Sequence, residues 1–564
     1  MLVGAIVALT TLPFAAKAVH IDDVYFLEVA GNVVKDPLRP FAGAVALEDI
    51  DYRVFAEAGR CPTTFASMSH PPLVSYVMAL VATLVGDFKE LPLHLTFALF
   101  ALGAALAMYD LARRFTQPPL VTTLLLVSSP VFVLSAQSLM TDMPALAFSL
   151  AALAVFIRGT DGGVGRSMLL AGVLAGLAIL TRYSALLVLP LFWAYALNQG
   201  RVRKAWPALL GVLGVLGLWA LQNLAVHGEL HILASAGHYR LFFAEGGLDW
   251  AGLLKKTLGD FSGLGGTSFV AAVLLLATGL HRRAVTFALS AVAAAMVFVV
   301  RPAGVERLHL YSVLEVIAVA GSFACGVLLL VEALWPAPGT ARPLGEGERD
   351  GAFLTAWLLL AIGGALLLLP FGTARYMVPV LPPLWILLVR RFWNGEDGLP
   401  RIRAGTGLIV GQGLALSLVL GVVDADFAGR YRDFAFQIRE SYPQRNVWFV
   451  GEWGFRYYMS QRGGRYLKST DDTPQLGDIV ARPFIAGMHE ISPSLRARSV
   501  LVKQVQLSSS WPIRVMNFEA KAGYYSHHWG YLPWAVSSAP LETIDVFEVR
   551  SPAPPAEPTT CASS

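Results

Sequence analysis

The chain is poor in charge. Only 15% of its 564 residues are Asp, Glu, Lys or Arg, against about 25% in an ordinary soluble domain. The shortfall is concentrated in long apolar runs such as LLAGVLAGLAIL and GAFLTAWLLLAIGGALLLLPF, and it excludes a conventional soluble fold. Cysteine is scarce as well. Cys61, Cys325 and Cys561 are the only three, and their spacing makes no metal-ligand set. Cys61 and Cys561 could pair if both lie outside the cytoplasm, although nothing requires it. Residues 1–19 lack the basic start and small-residue cleavage site of a secretory signal, so they read as a first span. No internal repeat is visible, which weakens any transporter built on inverted repeats.

What is present is hydrophobic: 55% apolar residues and a mean hydropathy of +0.58. Runs of about twenty apolar residues match a bilayer core and must be helical, since lipid offers backbone groups no partner. The pattern predicts about thirteen spans, near 1–19, 91–112, 118–136, 143–158, 167–182, 184–200, 205–226, 264–280, 284–300, 309–334, 352–371, 376–392 and 404–423. The stretch 71–86 is apolar but short and opens on Pro71-Pro72, so it reads as a helix lying along the membrane.

Net charge is +4. The basic residues fall in short loops between apolar runs: Arg113 and Arg114, Arg158 and Arg166, Arg201, Arg203 and Lys204, Arg282 and Arg283, then Arg390, Arg391, Arg401 and Arg403. That is membrane orientation, not nucleic-acid binding, and the positive-inside rule puts these loops in the cytoplasm. By alternation, loop 20–90, the turn around Thr141-Asp142, loop 227–263, the turns at 301–309 and 372–375, and the tail from Asp424 are extracytoplasmic. The segments NVWFVGEW and ETIDVFEVR within the tail read as strands. The expected organisation is a transmembrane domain over 1–423, a small extracytoplasmic α+β domain over 424–550, and a disordered end over 551–564.

Two acidic sites share the outer face. Asp22 and Asp23 follow the first span directly, and Asp142 sits in LMTDMPALAF between two spans. Each has a plain reading as a helix start, since Asp favours that position. An Asp against the membrane is nevertheless costly without water or a partner, and two such sites suggest one cavity. On the same face stand Arg182, Arg301, Arg307 and Arg375, where the positive-inside rule depletes arginine. Arg suits bidentate phosphate contact, although a terminal Arg can also simply snorkel to the interface. His70 before Pro71-Pro72 is either a loop residue fixing a helix start or a substrate contact. His527-His528-Trp529 reads as internal packing, because side chains of adjacent strand residues diverge.

The order of these elements resembles a known family. An acidic pair after the first span, Ser69-His70-Pro71-Pro72-Leu73 opening a juxtamembrane helix, a Thr-Asp turn, and LAGLAILTRYSALLVLPL with its Thr181-Arg182-Tyr183 resemble GT-C glycosyltransferases. More narrowly they resemble the protein O-mannosyltransferase and aminoarabinose transferase family. The span start Arg375-Tyr376-Met377-Val378-Pro379-Val380-Leu381-Pro382-Pro383 is similar to that family's Arg-Tyr-x-x-Pro-x-x-Pro-Pro element. The resemblance covers residues 1 to about 393, and loosely the last span; the tail has no close counterpart. It implies an inverting, metal-independent transferase without a cofactor, in the cell (inner) membrane. Its donor would be a polyprenyl-phosphate sugar, and its acceptor an extracytoplasmic lipid, protein or envelope glycan.

Carried over, Asp22 is the catalytic base. Asp23, the second catalytic candidate, stands where the family usually has Glu, so its role is less fixed. His70, Asp142, Arg182, Tyr183, Arg375 and Tyr376 are the implied substrate-binding residues. The competing classes are a transporter or lipid-carrier flippase, which would not need the acidic outer loop with a folded tail, and a sensor or assembly protein built on the tail. The last would leave the acidic pair unexplained.

Overall fold

The computed structural model describes residues 1–41, 69–163, 165–236, 249–305, 307–335, 346–393, 400–467, 473–486 and 490–552. Cys61, Cys561 and nearly all of the 551–564 end lie outside them. Among the described residues seven helices are long and apolar enough to cross a membrane: Glu90–Phe115, Asp142–Gly162, Trp206–His227, His281–Val300, Val313–Leu334, Gly347–Leu368 and Ala404–Ser441. Two bent pairs bring the number to nine if each is one span. The chain is therefore a multi-pass membrane protein.

All thirteen expected positions hold a helix, but several are too short to span by themselves, among them Leu2–Thr11, Val188–Asn198 and Leu381–Trp393. The expected span 118–136 is broken: Pro119–Val127 and Pro130–Ala136 meet at 63°. Pro130 lacks the N–H that would continue the first helix. The span expected at 264–280 begins earlier, as Trp250–Thr267, and turns by 78° into Phe269–Leu276. Small residues let these helices touch. A Cβ on Gly265 would lie 1.9 Å from the Ser322 carbonyl oxygen, and one on Gly326 2.2 Å from that of Phe261. Helix Trp250–Thr267 thus packs backbone to backbone on Val313–Leu334, as small residues permit in membranes. Leu73–Val85 spans only 13 residues, about 20 Å, less than a bilayer core.

The basic loops converge at one end of the bundle. Arg114 pairs with Asp350 at 2.7 Å, Arg201 with Asp161 at 3.6 Å, and Arg282 and Arg283 with Glu332 at 2.8 Å. Arg391 also reaches Glu332. At the other end lie the acidic loop, the turn at 372–375 and the tail.

The expected boundary at 423/424 falls inside one 42-residue helix, Pro400–Ser441, which carries the last span directly into the tail. The tail holds a five-stranded mixed sheet. Its strand order is Arg465–Tyr466, Val447–Phe449, Ile479–Pro483, Glu542–Val549, Ser499–Leu507, parallel at the first two pairings and antiparallel at the others. Ile544 and Val546 face one core cluster and Phe547 and Val549 another, so ETIDVFEVR is an inner strand covered on both faces. Helix Trp453–Gln461 leans on the membrane part: a Cβ on Gly454 would sit 2.1 Å from the Val19 carbonyl oxygen. The Val19 N–H donates to Tyr458 Oη at 2.9 Å.

Candidate active site

The start of helix Asp23–Lys35 places two neighbouring carboxylates in different environments. Asp23 is fully buried. Its Oδ2 accepts the His20 N–H at 3.1 Å and its Oδ1 the Leu139 N–H at 2.9 Å. It therefore ties the acidic loop to the segment before Asp142. Burial pushes its carboxyl up to about 7, against the opposing pull of Lys17 and the two N–H donors. Asp22 points outward instead, with a side chain 32% exposed. It occupies the position before the helix without making a side-chain cap, so the helix-start reading does not account for its carboxylate. The preceding residue is strained. Ile21 has φ 46, a left-handed conformation that a β-branched residue rarely adopts, and such strain collects at functional sites.

Asp22 Oδ2 instead accepts from Arg375 Nη2 at 3.1 Å. Arg375 Nη1 lies 4.0 Å from Asp142 Oδ2 and 2.5 Å from the Met140 sulfur. Its Nε is buried with no hydrogen-bond partner among the described residues. Asp142 is the first residue of Asp142–Gly162 and is held by Arg182 Nη1. Both guanidiniums lie over the Tyr376 ring, Arg182 at 4.9 Å and Arg375 at 5.2 Å from its centroid. His70 stacks on Phe26 at 6.0 Å. Burial, then the charge of Arg182, push it down to about 3, so it is neutral beside the cluster.

Five of the sequence-derived candidates, Asp22, Asp142, Arg182, Arg375 and Tyr376, thus form one continuous constellation, with His70 at its edge. Tyr183 is turned away: its hydroxyl meets His231 Nδ1 at 2.7 Å. Asp23 lies one layer behind the constellation. Arg301 is exposed at the end of its helix, and Arg307 lies over Phe518.

Other residues support the site without having stood out in the sequence. Thr373, in the turn before Arg375, donates its backbone N–H to Asp260 Oδ1 at 2.7 Å, and its hydroxyl donates to the Tyr524 carbonyl. The His527 N–H donates to the Gly372 carbonyl at 2.9 Å. Asp424, fully buried, takes Lys17 Nζ at 2.5 Å and Tyr525 Oη at 2.7 Å. Glu452 accepts from Tyr25, Arg456 and Tyr466 at 3.0, 2.9 and 2.7 Å. The tail therefore grips both the acidic loop and the Arg375 turn. Only pairing over hundreds of residues makes these roles visible.

A cavity of about 110 Å³ opens from Asp142, Arg182 and Tyr376. Beyond those three residues its walls are almost wholly apolar, including Leu146, Leu153, Leu191, Trp357, Ala361 and Pro382. It runs between Asp142–Gly162, Val188–Asn198 and Gly347–Leu368, with the polar residues at one end. No group of three or more His, Cys, Asp or Glu residues among the described ones could hold a metal ion.

Residues 69–221 match the sequence model of the dolichyl-phosphate-mannose-protein mannosyltransferase family. This is the mannosyltransferase resemblance carried by the motifs, and the matched segment contains His70, Asp142, Arg182 and Tyr183. Solved structures are also similar. An oligosaccharyltransferase from Archaeoglobus fulgidus, tethered to an acceptor peptide, aligns at 12% identity and TM-score 0.46, over 82% of this chain and 63% of its own. ArnT from Cupriavidus metallidurans bound to undecaprenyl phosphate aligns at 15% identity and TM-score 0.38, over 98% of this chain and 99% of its own. The S. cerevisiae protein O-mannosyltransferase complex bound to the sugar donor aligns at 17% identity and TM-score 0.27, over 47% and 36%. The chain spans a little under two thirds of the archaeal enzyme's length. No curated protein matches the chain.

Proposed function

We propose that the chain is a membrane glycosyltransferase that moves a sugar from a polyprenyl phosphate to an extracytoplasmic acceptor, with inversion at the sugar. The family match over residues 69–221 supports the reaction class. The observation that carries the rest is the junction of two arginines with an apolar cavity. Arg182 stands where the polar end of that cavity meets Asp142, and Arg375 stands beside it. A phosphate held by the two guanidiniums leaves its hydrocarbon chain pointing into the cavity, where burial is favourable.

Asp22 then acts as general base. Its hydrogen bond with Arg375 holds the carboxylate in place beside the phosphate site. Its exposed side can reach the acceptor hydroxyl. The hydroxyl oxygen attacks the anomeric carbon, its proton passes to Asp22, and the bond from that carbon to the phosphate oxygen breaks. The departing phosphate gathers charge, which Arg182 and Arg375 stabilise from fixed positions. Asp142 orients both arginines, and Asp23 holds the loop. In this reading the site and the tail, opposite the basic loops, face away from the cytoplasm, the side that the positive-inside rule favours for them.

The purified full chain in lipid nanodiscs, given a polyprenyl-phosphate sugar, should release polyprenyl phosphate. In sealed vesicles, movement of the intact lipid sugar across the bilayer without cleavage would instead establish a flippase and overturn this reading.

A further inference from the structure

A second, larger groove, of about 700 Å³, lies between the tail and the outer ends of the helices. It shares a wall with the site above, since His527 lines it and bonds to Gly372 on the turn carrying Arg375. Its charge is unusual for this face. Lys255, Arg307 and Lys521 all line it, and among the described residues no carboxylate pairs with any of them. Two carboxylates are also on the wall, Glu490, which is held by Arg482, and the exposed Glu519, so the four cations of the lining outnumber its two acids. Three unpaired cations at the end of the protein where the positive-inside rule depletes them call for an anionic partner.

Two of the three cations are held in place. Arg307 lies over the Phe518 ring at 4.7 Å and Lys521 over that of Tyr311 at 5.6 Å. Lys521 Nζ also donates to the Phe518 carbonyl at 3.0 Å. Both residues have left-handed backbones, φ 62 and φ 57, which non-glycine residues rarely adopt. The loop closing over Lys521 needs glycine: a Cβ on Gly530 would fall 2.0 Å from the Lys521 carbonyl. Beside the cations stands Phe484, a large aromatic left 55% exposed. An open ring next to fixed cations suits a ligand with both an apolar ring face and negative charge, and a neutral glycan or an isolated phosphate would use only one of the two.

We propose that this groove binds an acidic saccharide, its anionic groups meeting Lys255, Arg307 and Lys521 and one sugar face stacking on Phe484. This rests on the transferase reading in one respect only: the saccharide is taken to be the acceptor, or the part of it remote from the reacting hydroxyl. The binding itself is independent of catalysis.

The test uses the full chain in phosphatidylcholine nanodiscs, with tetragalacturonate and neutral maltotetraose as probes and calorimetric titration as readout. Tetragalacturonate should bind and maltotetraose should not, and affinity should fall with added salt. Combined Lys255→Gln, Arg307→Gln and Lys521→Gln substitutions should weaken binding by at least about tenfold. Phe484→Ala, which leaves the charges, should weaken it by a smaller factor. Equal binding of the two probes, no binding of tetragalacturonate, or unchanged affinity in the charge variant would each overturn the proposal. Preference for phosphatidylglycerol nanodiscs that disappears in the charge variant, with no tetragalacturonate binding, would make the groove a lipid-headgroup site and overturn it likewise. Donor cleavage, assayed separately on the unsubstituted chain, tests the transferase reading alone. Saccharide binding without donor cleavage would sink that reading and leave the groove standing.

Discussion

Arg375 and Asp22, separated by 353 positions in the chain, are joined by a hydrogen bond of 3.1 Å. One guanidinium therefore touches the proposed base and also stands beside the proposed phosphate site. If Asp22 takes the acceptor proton, Asp22→Asn keeps its size but cannot accept that proton at neutral pH. Turnover should fall by roughly 10²–10⁴-fold, the usual contribution of a general base. Donor binding, measured by titration, should persist because Arg182 and Arg375 remain. Near-normal turnover would remove the base from this loop and direct attention to Asp142.

The fork of Arg375 is separable from its charge. Arg375→Lys keeps a cation but loses the planar pair of donors and the contact with Tyr376. Donor affinity should drop in the order wild type, Lys, Ala. The loss for Ala should be about ten- to a hundredfold, the worth of a charged hydrogen bond. Equal affinity in all three proteins would reduce Arg375 to an interface anchor.

Much of this arrangement was legible in the sequence because charge in an apolar chain is expensive and stands out. Asp142, Arg182 and Arg375 are conspicuous against their spans, and the loop arginines at 114, 201, 282, 283, 390 and 391 indicate which ends belong together. The strand ETIDVFEVR shows itself by alternation. The breaks did not show. Pro130 signals a possible kink, yet neither the 63° bend nor the early start at Trp250 follows from hydropathy, which is blind to direction. Nor could spacing distinguish Asp22 from Asp23. Their difference is made by the N–H groups of His20 and Leu139, the second contributed from 116 residues away. Asp424 looked like the first residue of a soluble tail, whereas it is a buried partner of Lys17 within a continuous helix.

The apolar cavity can be tested by filling it. Ala361 lines the wall away from Arg182, so Ala361→Phe should obstruct a long hydrocarbon chain while sparing the phosphate contacts. KM for a donor of many isoprene units should rise several-fold, and KM for a donor of two units should not change. A general loss of folding would affect both donors alike. An equal response to both, with the melting temperature unchanged, would show that the chain of the donor lies elsewhere.

Asp23 gives the stability a sign. Its folded carboxyl titrates at about 7, raised from 3.8 by burial, so the folded protein holds this proton more tightly than the unfolded one. The stabilisation is fully present below the unfolded value and is lost as pH rises through about 7. Melting temperature between pH 5 and pH 8.5 should therefore carry a falling component from this residue. Asp23→Asn removes the titration. The two N–H groups meet different carboxylate oxygens, so the Asn amide accepts from one of His20 and Leu139 and turns its NH₂ towards the other, at a cost of about 1–3 kcal/mol. The variant should thus melt below wild type at pH 5, and the gap should narrow towards pH 8.5 as the wild-type carboxyl ionises. Turnover per folded molecule should fall far less than in Asp22→Asn. Parallel melting curves across the whole range would show that Asp23 does not carry a raised pKa. A turnover loss in Asp23→Asn equal to that in Asp22→Asn would transfer the base from the exposed carboxylate to the buried one.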